Sequence, residues 1–93
     1  MLASYSVATT IPYLHFDRAR QFYEDRLGFI PFQEMPGSVE YKCGSGTSFL
    51  LYPSQFAGTA QNTAMSFTVN DIEAEVLELQ AQGIVFEEYD LPD

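Results

Sequence analysis

Histidine and cysteine, the side chains that most often act as bases, nucleophiles and metal ligands, each occur once in the 93 residues. His15 could act as a general base or contact a ligand, but a lone histidine between a strand and a helix is more often a surface turn residue. Cys43 precedes a glycine-rich turn with no second histidine nearby in sequence to activate it, so we interpret it as a structural thiol. These side chains therefore assign no catalytic residue.

The charge balance excludes several classes of partner. Thirteen acidic residues against four basic ones give a net charge of −9, the opposite of what a phosphate-backbone binder needs. We therefore expect neither nucleic acid nor a membrane surface as a partner. The acidic residues are unevenly distributed along the chain, since residues 47–93 contain eight acidic residues and no basic one. A solvated surface explains this pattern, and the alternative is a field that attracts a cationic ligand.

The cellular setting follows from the cysteine count and the N-terminus. A single cysteine excludes an intrachain disulfide. The first residues lack the basic segment and apolar core of a signal peptide. The densest apolar run, residues 48–52, is too short to cross a bilayer. We expect a cytoplasmic protein.

The first half of the chain predicts one strand, one helix and three further strands. Residues 17–27 carry apolar side chains at helical spacing, with Asp17 in the first turn and Gly28 as the stop. The strands, rich in β-branched and aromatic residues, are predicted at residues 7–14, 29–34, 39–43 and 47–52. The phenylalanines expected in the core are Phe22, Phe29 and Phe67.

The pattern then restarts after an uncharged linker over residues 53–63. A strand is predicted at 64–69, a helix begins near Asn70 with Glu73 at its third position, and Gly83 ends that helix before a strand at 84–89. We interpret residues 1–93 as one domain, with module one at 1–53 and a truncated module two at 64–93. The second unit lacks the last two strands of the first, so either the chain is a fragment or another subunit covers the missing edge.

Three sets of motifs, in this order, resemble the glyoxalase / bleomycin-resistance / extradiol-dioxygenase superfamily, also called the vicinal oxygen chelate group. They are the Ile11-Pro12-Tyr13-Leu14-His15-Phe16-Asp17-Arg18-Ala19 run with Phe22-Tyr23 and Leu27-Gly28-Phe29, then Tyr41-Lys42-Cys43-Gly44 with Leu51-Tyr52-Pro53, then Val69-Asn70-Asp71-Ile72-Glu73-Ala74 with Gln82-Gly83-Ile84. The resemblance implies an α+β fold in which paired βαβββ modules form a curved mixed sheet, a cup around a substrate. In this sequence the second module is incomplete, as βαβ. It also implies frequent homodimers, and we expect one here.

The resemblance also allows the question of a metal to be asked residue by residue. Metal-dependent relatives place ligands on the first strand of each module and on the last strand of the first. The corresponding positions of this sequence are Ala8, Ala64 and Leu50, none of which has a donor atom for Zn²⁺, Fe²⁺ or Mn²⁺. We therefore expect a metal-free member without a cofactor.

The strand faces that would line the cup carry small and polar side chains, which leave room for a ligand and offer hydroxyls to orient it. The predicted ligand-binding residues are Thr10, Leu50, Tyr52, Ser66 and Thr68. The alternative is that dimer packing fills this space. We therefore favour a protein that binds a small organic ligand, cationic or aromatic, over an enzyme. A metal-dependent lyase, isomerase or dioxygenase of the same superfamily, of glyoxalase or dioxygenase type, stays open, as does a vestigial subunit or interaction domain.

Overall fold

A strand, a helix and three more strands follow one another in the first 53 residues, as the sequence predicts. In the computed structural model, which describes residues 1–87, strand β1 spans Thr9–Tyr13 and helix α1 spans Phe16–Arg20. The helix continues as a π-helical segment over Gln21–Arg26. Strands β2, β3 and β4 span Pro31–Met35, Ser38–Cys43 and Thr47–Pro53. The predicted elements of this half are therefore confirmed, with bounds that shift by up to about two residues.

The four strands form one mixed sheet in the order β1-β4-β3-β2. β1 lies parallel to β4, while β3 is antiparallel to both of its neighbours. A parallel pair needs a crossover between its strands, and α1 with the β2–β3 hairpin provides it. The α+β class and the curved mixed sheet are confirmed.

The core lies on the sheet face that packs against the first helix. Five side chains are buried there: Ile11, Val39, Tyr41, Phe49 and Leu51. Phe16, Ala19 and Tyr23 from the helical segment pack against them. Of the phenylalanines predicted in the core, Phe29 packs against it, whereas Phe22 and Phe67 are 39% and 54% exposed. The prediction for those two is wrong because each only borders the core, Phe22 at the edge of Tyr23 and Phe67 over the Phe29 ring.

Glycine ends the first helical segment where the sequence predicts it. Gly28 has φ of +80°, a left-handed conformation that side chains with a Cβ rarely adopt. The last helical turn is wide, since the Leu27 amide donates to the Phe22 carbonyl at 3.1 Å and the Phe29 amide donates to the Tyr23 carbonyl at 3.0 Å. This closure brings Phe29 back against the core.

Among the described residues, the second module is represented by its helix alone. Helix α2 spans Ile72–Ala81 and is capped by Asp71, whose carboxylate accepts from the Ala74 amide at 3.1 Å. The cap thus lies one residue later than Asn70, because the Asp71 carboxylate reaches the free amide of the first turn. No helix in residues 1–87 is long and apolar enough to cross a membrane.

The predicted strand at 64–69 is wrong. This segment joins no strand of the sheet in residues 1–87. Met65 instead packs against the core, and the Phe67 ring stacks on Phe29 with 6.0 Å between centroids. Side-chain packing thus fixes the segment without a backbone ladder. The sequence also predicts a strand at 84–89. Residues 84–87 do not form one, and residues 88 and 89 lie outside the described part of the chain.

Candidate functional site

Three of the five predicted ligand-binding residues lie on the sheet face opposite the first helix. Side chains alternate along a strand, so Thr10, Leu50 and Tyr52 face away from the buried neighbours Ile11 and Leu51. Thr10 lies directly beside Leu50 across the β1–β4 pair. Leu50 and Tyr52 are half-buried and Thr10 is exposed. We call this surface the open face; its members are Thr10, Pro12, Glu40, Lys42, Ser48, Leu50 and Tyr52.

The other two predicted residues, Ser66 and Thr68, line a separate cleft at one end of the sheet. The cleft lies between the 65–68 segment and the sheet end where β1 and β4 begin and β3 finishes. Its volume is about 400 Å³. We call it the strand-end cleft. Hydroxyl groups and apolar side chains share its lining, namely Thr9, Thr47, Ser48, Ser66 and Thr68 with Phe49, Met65 and Phe67.

Ser48 connects the two surfaces. It lines the strand-end cleft, and it lies on the open face two residues before Leu50. The five predicted residues thus fall into two groups that meet at one serine. Sequence reasoning placed all five around one cup because it assigned residues 64–69 to a strand of the same curved sheet.

Glu40 and Lys42 on the open face were missed by sequence reasoning. The Ser48 hydroxyl donates to Glu40 Oε2 at 2.7 Å, and Glu40 lies beside Leu50 across the β3–β4 pair. The Lys42 ammonium lies 4.8 Å from the centre of the Phe32 ring, a cation–π distance. The alternation of Val39, Glu40, Tyr41 and Lys42 was the signal that could have placed these charges on this face.

Cys43 also lines the strand-end cleft. Burial raises the pKa of its thiol above the ordinary value, which disfavours the reactive thiolate at neutral pH. The Cys43 carbonyl accepts from the Thr47 hydroxyl at 2.9 Å across the hairpin turn. Both observations fit the structural role expected of this cysteine.

The metal-ligand positions implied by the resemblance do not fit a metal ion. Ala8 precedes β1, Leu50 lies in β4 and Ala64 lies in the segment before α2, and none of these side chains has a donor atom. No group of three or more histidine, cysteine, aspartate or glutamate side chains in residues 1–87 is arranged to hold one. These three positions therefore offer no ligand to a metal ion.

A charged cluster on the covered side of the sheet ties α1 to β2 and β3. Arg20 donates through Nε to Glu24 Oε2 at 2.7 Å, and its Nη1 lies 2.7 Å from Glu34 Oε1. The Tyr41 hydroxyl donates to the same Glu24 oxygen at 2.7 Å. The Arg20 hydrogen bond holds the pKa of Glu24 below its ordinary value, while burial raises the pKa of Tyr41. The cluster is satisfied internally, so we assign it to the fold.

The arrangement defines an α+β protein with a curved mixed sheet, one open sheet face and a hydroxyl-lined cleft. The family model of the Glyoxalase/Bleomycin resistance protein/Dioxygenase superfamily matches residues 7–89, and the chain belongs to this superfamily. No curated protein matches it.

Solved structures share the fold at low sequence identity. A glyoxalase family protein from Enterococcus faecalis is 23% identical with a TM-score of 0.71, covering 100% of this chain and 83% of that one. The crystal structure of SMU.1112c is 24% identical with a TM-score of 0.66, covering 97% and 84%. A glyoxalase/bleomycin resistance protein/dioxygenase from Nocardioides is 21% identical with a TM-score of 0.58, covering 96% and 71%. At these identities the likeness establishes the fold.

Proposed function

We propose that the chain is a metal-free small-molecule binding protein of its superfamily. The ligand is a small organic molecule that enters the strand-end cleft and extends over the open face. Ser66 and Thr68 contact it in the cleft, and Thr10, Leu50 and Tyr52 contact it on the sheet. Ser48 belongs to both surfaces and completes the site.

The chemistry of the strand-end cleft carries this proposal. Ligand sites are concave, largely apolar, contain a few well-placed polar groups and hold roughly 300–1,000 Å³. The cleft has a volume of about 400 Å³ with aromatic walls from Phe49 and Phe67 and hydroxyls from three threonines and two serines. The Thr47 and Ser48 hydroxyls already donate to the Cys43 carbonyl and to Glu40, so they can accept from a ligand. The other three hydroxyls can donate or accept, so such a lining can orient one polar group of an otherwise apolar ligand.

The lining also favours an uncharged aromatic ligand over a cationic one. Among the described residues no charged side chain belongs to the cleft lining, and the Glu40 carboxylate beside it already accepts from the Ser48 hydroxyl. The net charge of −9 still attracts a cation at long range, but this field is screened beyond about 8 Å at physiological salt. Contact chemistry in the cleft therefore decides the class of ligand.

The lack of donor atoms at Ala8, Leu50 and Ala64 supports binding over metal-assisted catalysis. We also propose a cytoplasmic homodimer. Its support is that β1 ends the sheet order, so the outer edge of β1 has no strand partner in residues 1–87. Light scattering should give twice the 10.5 kDa chain mass, and a monomer at millimolar concentration would contradict the dimer.

A substitution that fills the cleft tests the binding proposal. We expect Ser66→Phe to weaken binding of 2-naphthol, a neutral aromatic probe with one hydroxyl, by about tenfold or more, which is about 1.4 kcal/mol. Ser66 is exposed, so the fold should survive, as circular dichroism can verify. Ser6→Phe is the matched control, since Ser6 is also exposed and lies outside the cleft lining. Equal affinity of both variants would mean that the cleft is not the site.

A further inference from the structure

A second depression lies between the first helix and the loop after β4. Its volume is about 390 Å³. The floor is the end of β1 over residues 12–14, and the far wall is Ala57 with Gly58. The near wall is a helical stripe of His15, Arg18, Ala19 and Phe22, which share one side because they are three or four residues apart. We call this depression the helix–loop groove.

The far wall of the groove is held in place by hydrogen bonds. The Ser54 amide donates to the Tyr13 carbonyl at 3.0 Å, and the Ala57 amide donates to the Ser54 carbonyl at 3.2 Å. The Thr59 hydroxyl donates to the Phe56 carbonyl at 2.6 Å. The loop is thus tied both to the end of β1 and to itself, so the groove exists before any ligand arrives.

The sign of charge in the groove is opposite to that of the protein. Ten of the 13 acidic residues lie in residues 1–87, and none of these ten lines the groove, which contains Arg18 and the single histidine. The neighbouring side of the same helix shows the reverse, with Asp17, Glu24 and Asp25 around Arg20.

Arg18 is also available to a ligand. Arg20 is held by Glu24 and Glu34, whereas Arg18 has no ion pair within 4.0 Å in residues 1–87. Apolar surface accompanies this charge, since Phe22 is 39% exposed and Leu14 is 58% exposed.

We propose that the helix–loop groove binds a small amphipathic carboxylate. The apolar body of the ligand lies against Phe22 and Leu14, and its carboxylate accepts hydrogen bonds from the Arg18 guanidinium, whose planar donors match a carboxylate. The His15 ring supplies a further donor at the rim. This site is separate from the strand-end cleft and goes beyond the function proposed for it.

Matched probes with one ring system test the proposal on the full chain. The probes are 2-naphthoate, 2-naphthylmethylammonium and 2-naphthol, titrated at neutral pH with affinities and ¹H–¹⁵N amide shifts recorded. We expect 2-naphthoate to bind more tightly than the ammonium and to shift the amides of Ala57, Gly58 and Ala19. Arg18→Gln should weaken 2-naphthoate about tenfold. Arg26→Gln, which removes the same charge outside both proposed sites, should leave its affinity unchanged. Phe22→Ala should weaken binding of 2-naphthoate as well.

Four results would overturn the proposal. One is that 2-naphthylmethylammonium binds as tightly as 2-naphthoate. The net negative charge of the protein would then outweigh the local attraction of Arg18 for a carboxylate. A second is equal weakening by Arg18→Gln and Arg26→Gln. A third is a 2-naphthoate shift pattern centred on Thr9, Thr47 and Ser66, which would place the carboxylate in the strand-end cleft. A fourth is groove amide shifts that follow protein dilution alone, which would mean that a second copy of the chain covers the groove. Failure of 2-naphthol to bind the cleft is a separate readout and bears only on the proposed function.

Discussion

Residues 9–53 and residues 54–87 contain a similar share of apolar residues, but these residues are buried only in the first region. All five buried residues belong to the first region, where four strands and a helical segment close over them. The second region contributes one helix and no buried residue among those described, although Ile72, Leu77 and Phe67 lie in it. In residues 1–87, apolar side chains are buried only where the sheet and the first helical segment pack closely around them.

The second region is attached to the first at a few points. Met65 packs against the core, Phe67 stacks on Phe29, and Arg26 donates to the Gly83 carbonyl at 3.5 Å. The strand-end cleft lies at this attachment, with the sheet as one wall and residues 65–68 as the other. A rigid wall facing a lightly held one suits ligand binding, because segments with few buried contacts open and close at low cost.

The largest expected effect comes from substituting two leucines, one in each region. Leu51 is fully buried in the sheet, whereas Leu77 is 67% exposed on α2. We expect Leu51→Ala to lower the free energy of unfolding by about 3 kcal/mol, because it leaves a cavity. Leu77→Ala should change it by less than about 0.5 kcal/mol. Urea unfolding of both variants measures the difference, and similar losses would contradict the division into a core region and an attached one.

A second test uses the charged cluster of Arg20, Glu24 and Glu34 on the covered side of the sheet. Glu24 accepts from Arg20 and Tyr41, so Glu24→Gln should cost about 1–2 kcal/mol at pH 7. The folded-state pKa of Glu24 lies below the unfolded value, so this stabilisation is complete above the ordinary value of 4.5 and is lost as pH falls through the lowered pKa. Unfolding of wild type and variant should therefore converge in acid. Glu78→Gln on exposed α2 is the control, and a difference that persists at low pH would refute the electrostatic explanation.

The smallest expected effect concerns the cap of α2. Asp71→Ala removes the acceptor for the Ala74 amide and should destabilise the helix by about 1 kcal/mol. Asp71→Asn retains an acceptor and should lose much less. Hydrogen exchange should accelerate across α2 and stay unchanged in β3 and β4, because the helix opens independently. Faster exchange in the sheet as well would show that the two regions unfold together.

The first module could be predicted from sequence because its signals are local. Alternation of side chains, the helical stripe, Gly28 and the turn around Gly44 each specify an element within a few residues. The same signals failed for residues 64–69, where alternation is clear but the segment pairs with no strand among the described residues. A segment becomes a β-strand only when it hydrogen-bonds to a neighbouring strand, and the alternation of side chains does not indicate whether such a neighbour is available.

The candidate site was predicted in composition but not in arrangement. The hydroxyls of Ser66 and Thr68 do line a cleft, yet that cleft meets the surface of Leu50 and Tyr52 only at Ser48. Glu40 and the helix–loop groove were missed for different physical reasons. The position of Glu40 in the site follows from the hydrogen bond that it accepts from Ser48 on the neighbouring strand. The groove forms because the loop after β4 packs back against the end of β1. Both are tertiary contacts that no local spacing encodes.

Amide chemical shifts during a titration with 2-naphthol test the central claim most directly. If the strand-end cleft is the ligand site, the shifts should concentrate on both of its walls, at Thr9 and Thr47 in the sheet and at Ser66 and Thr68 opposite. Ser66→Phe should abolish that pattern while the Leu51 and Tyr41 amides keep their positions. Shifts confined to one wall, or an unchanged pattern in Ser66→Phe, would contradict the account.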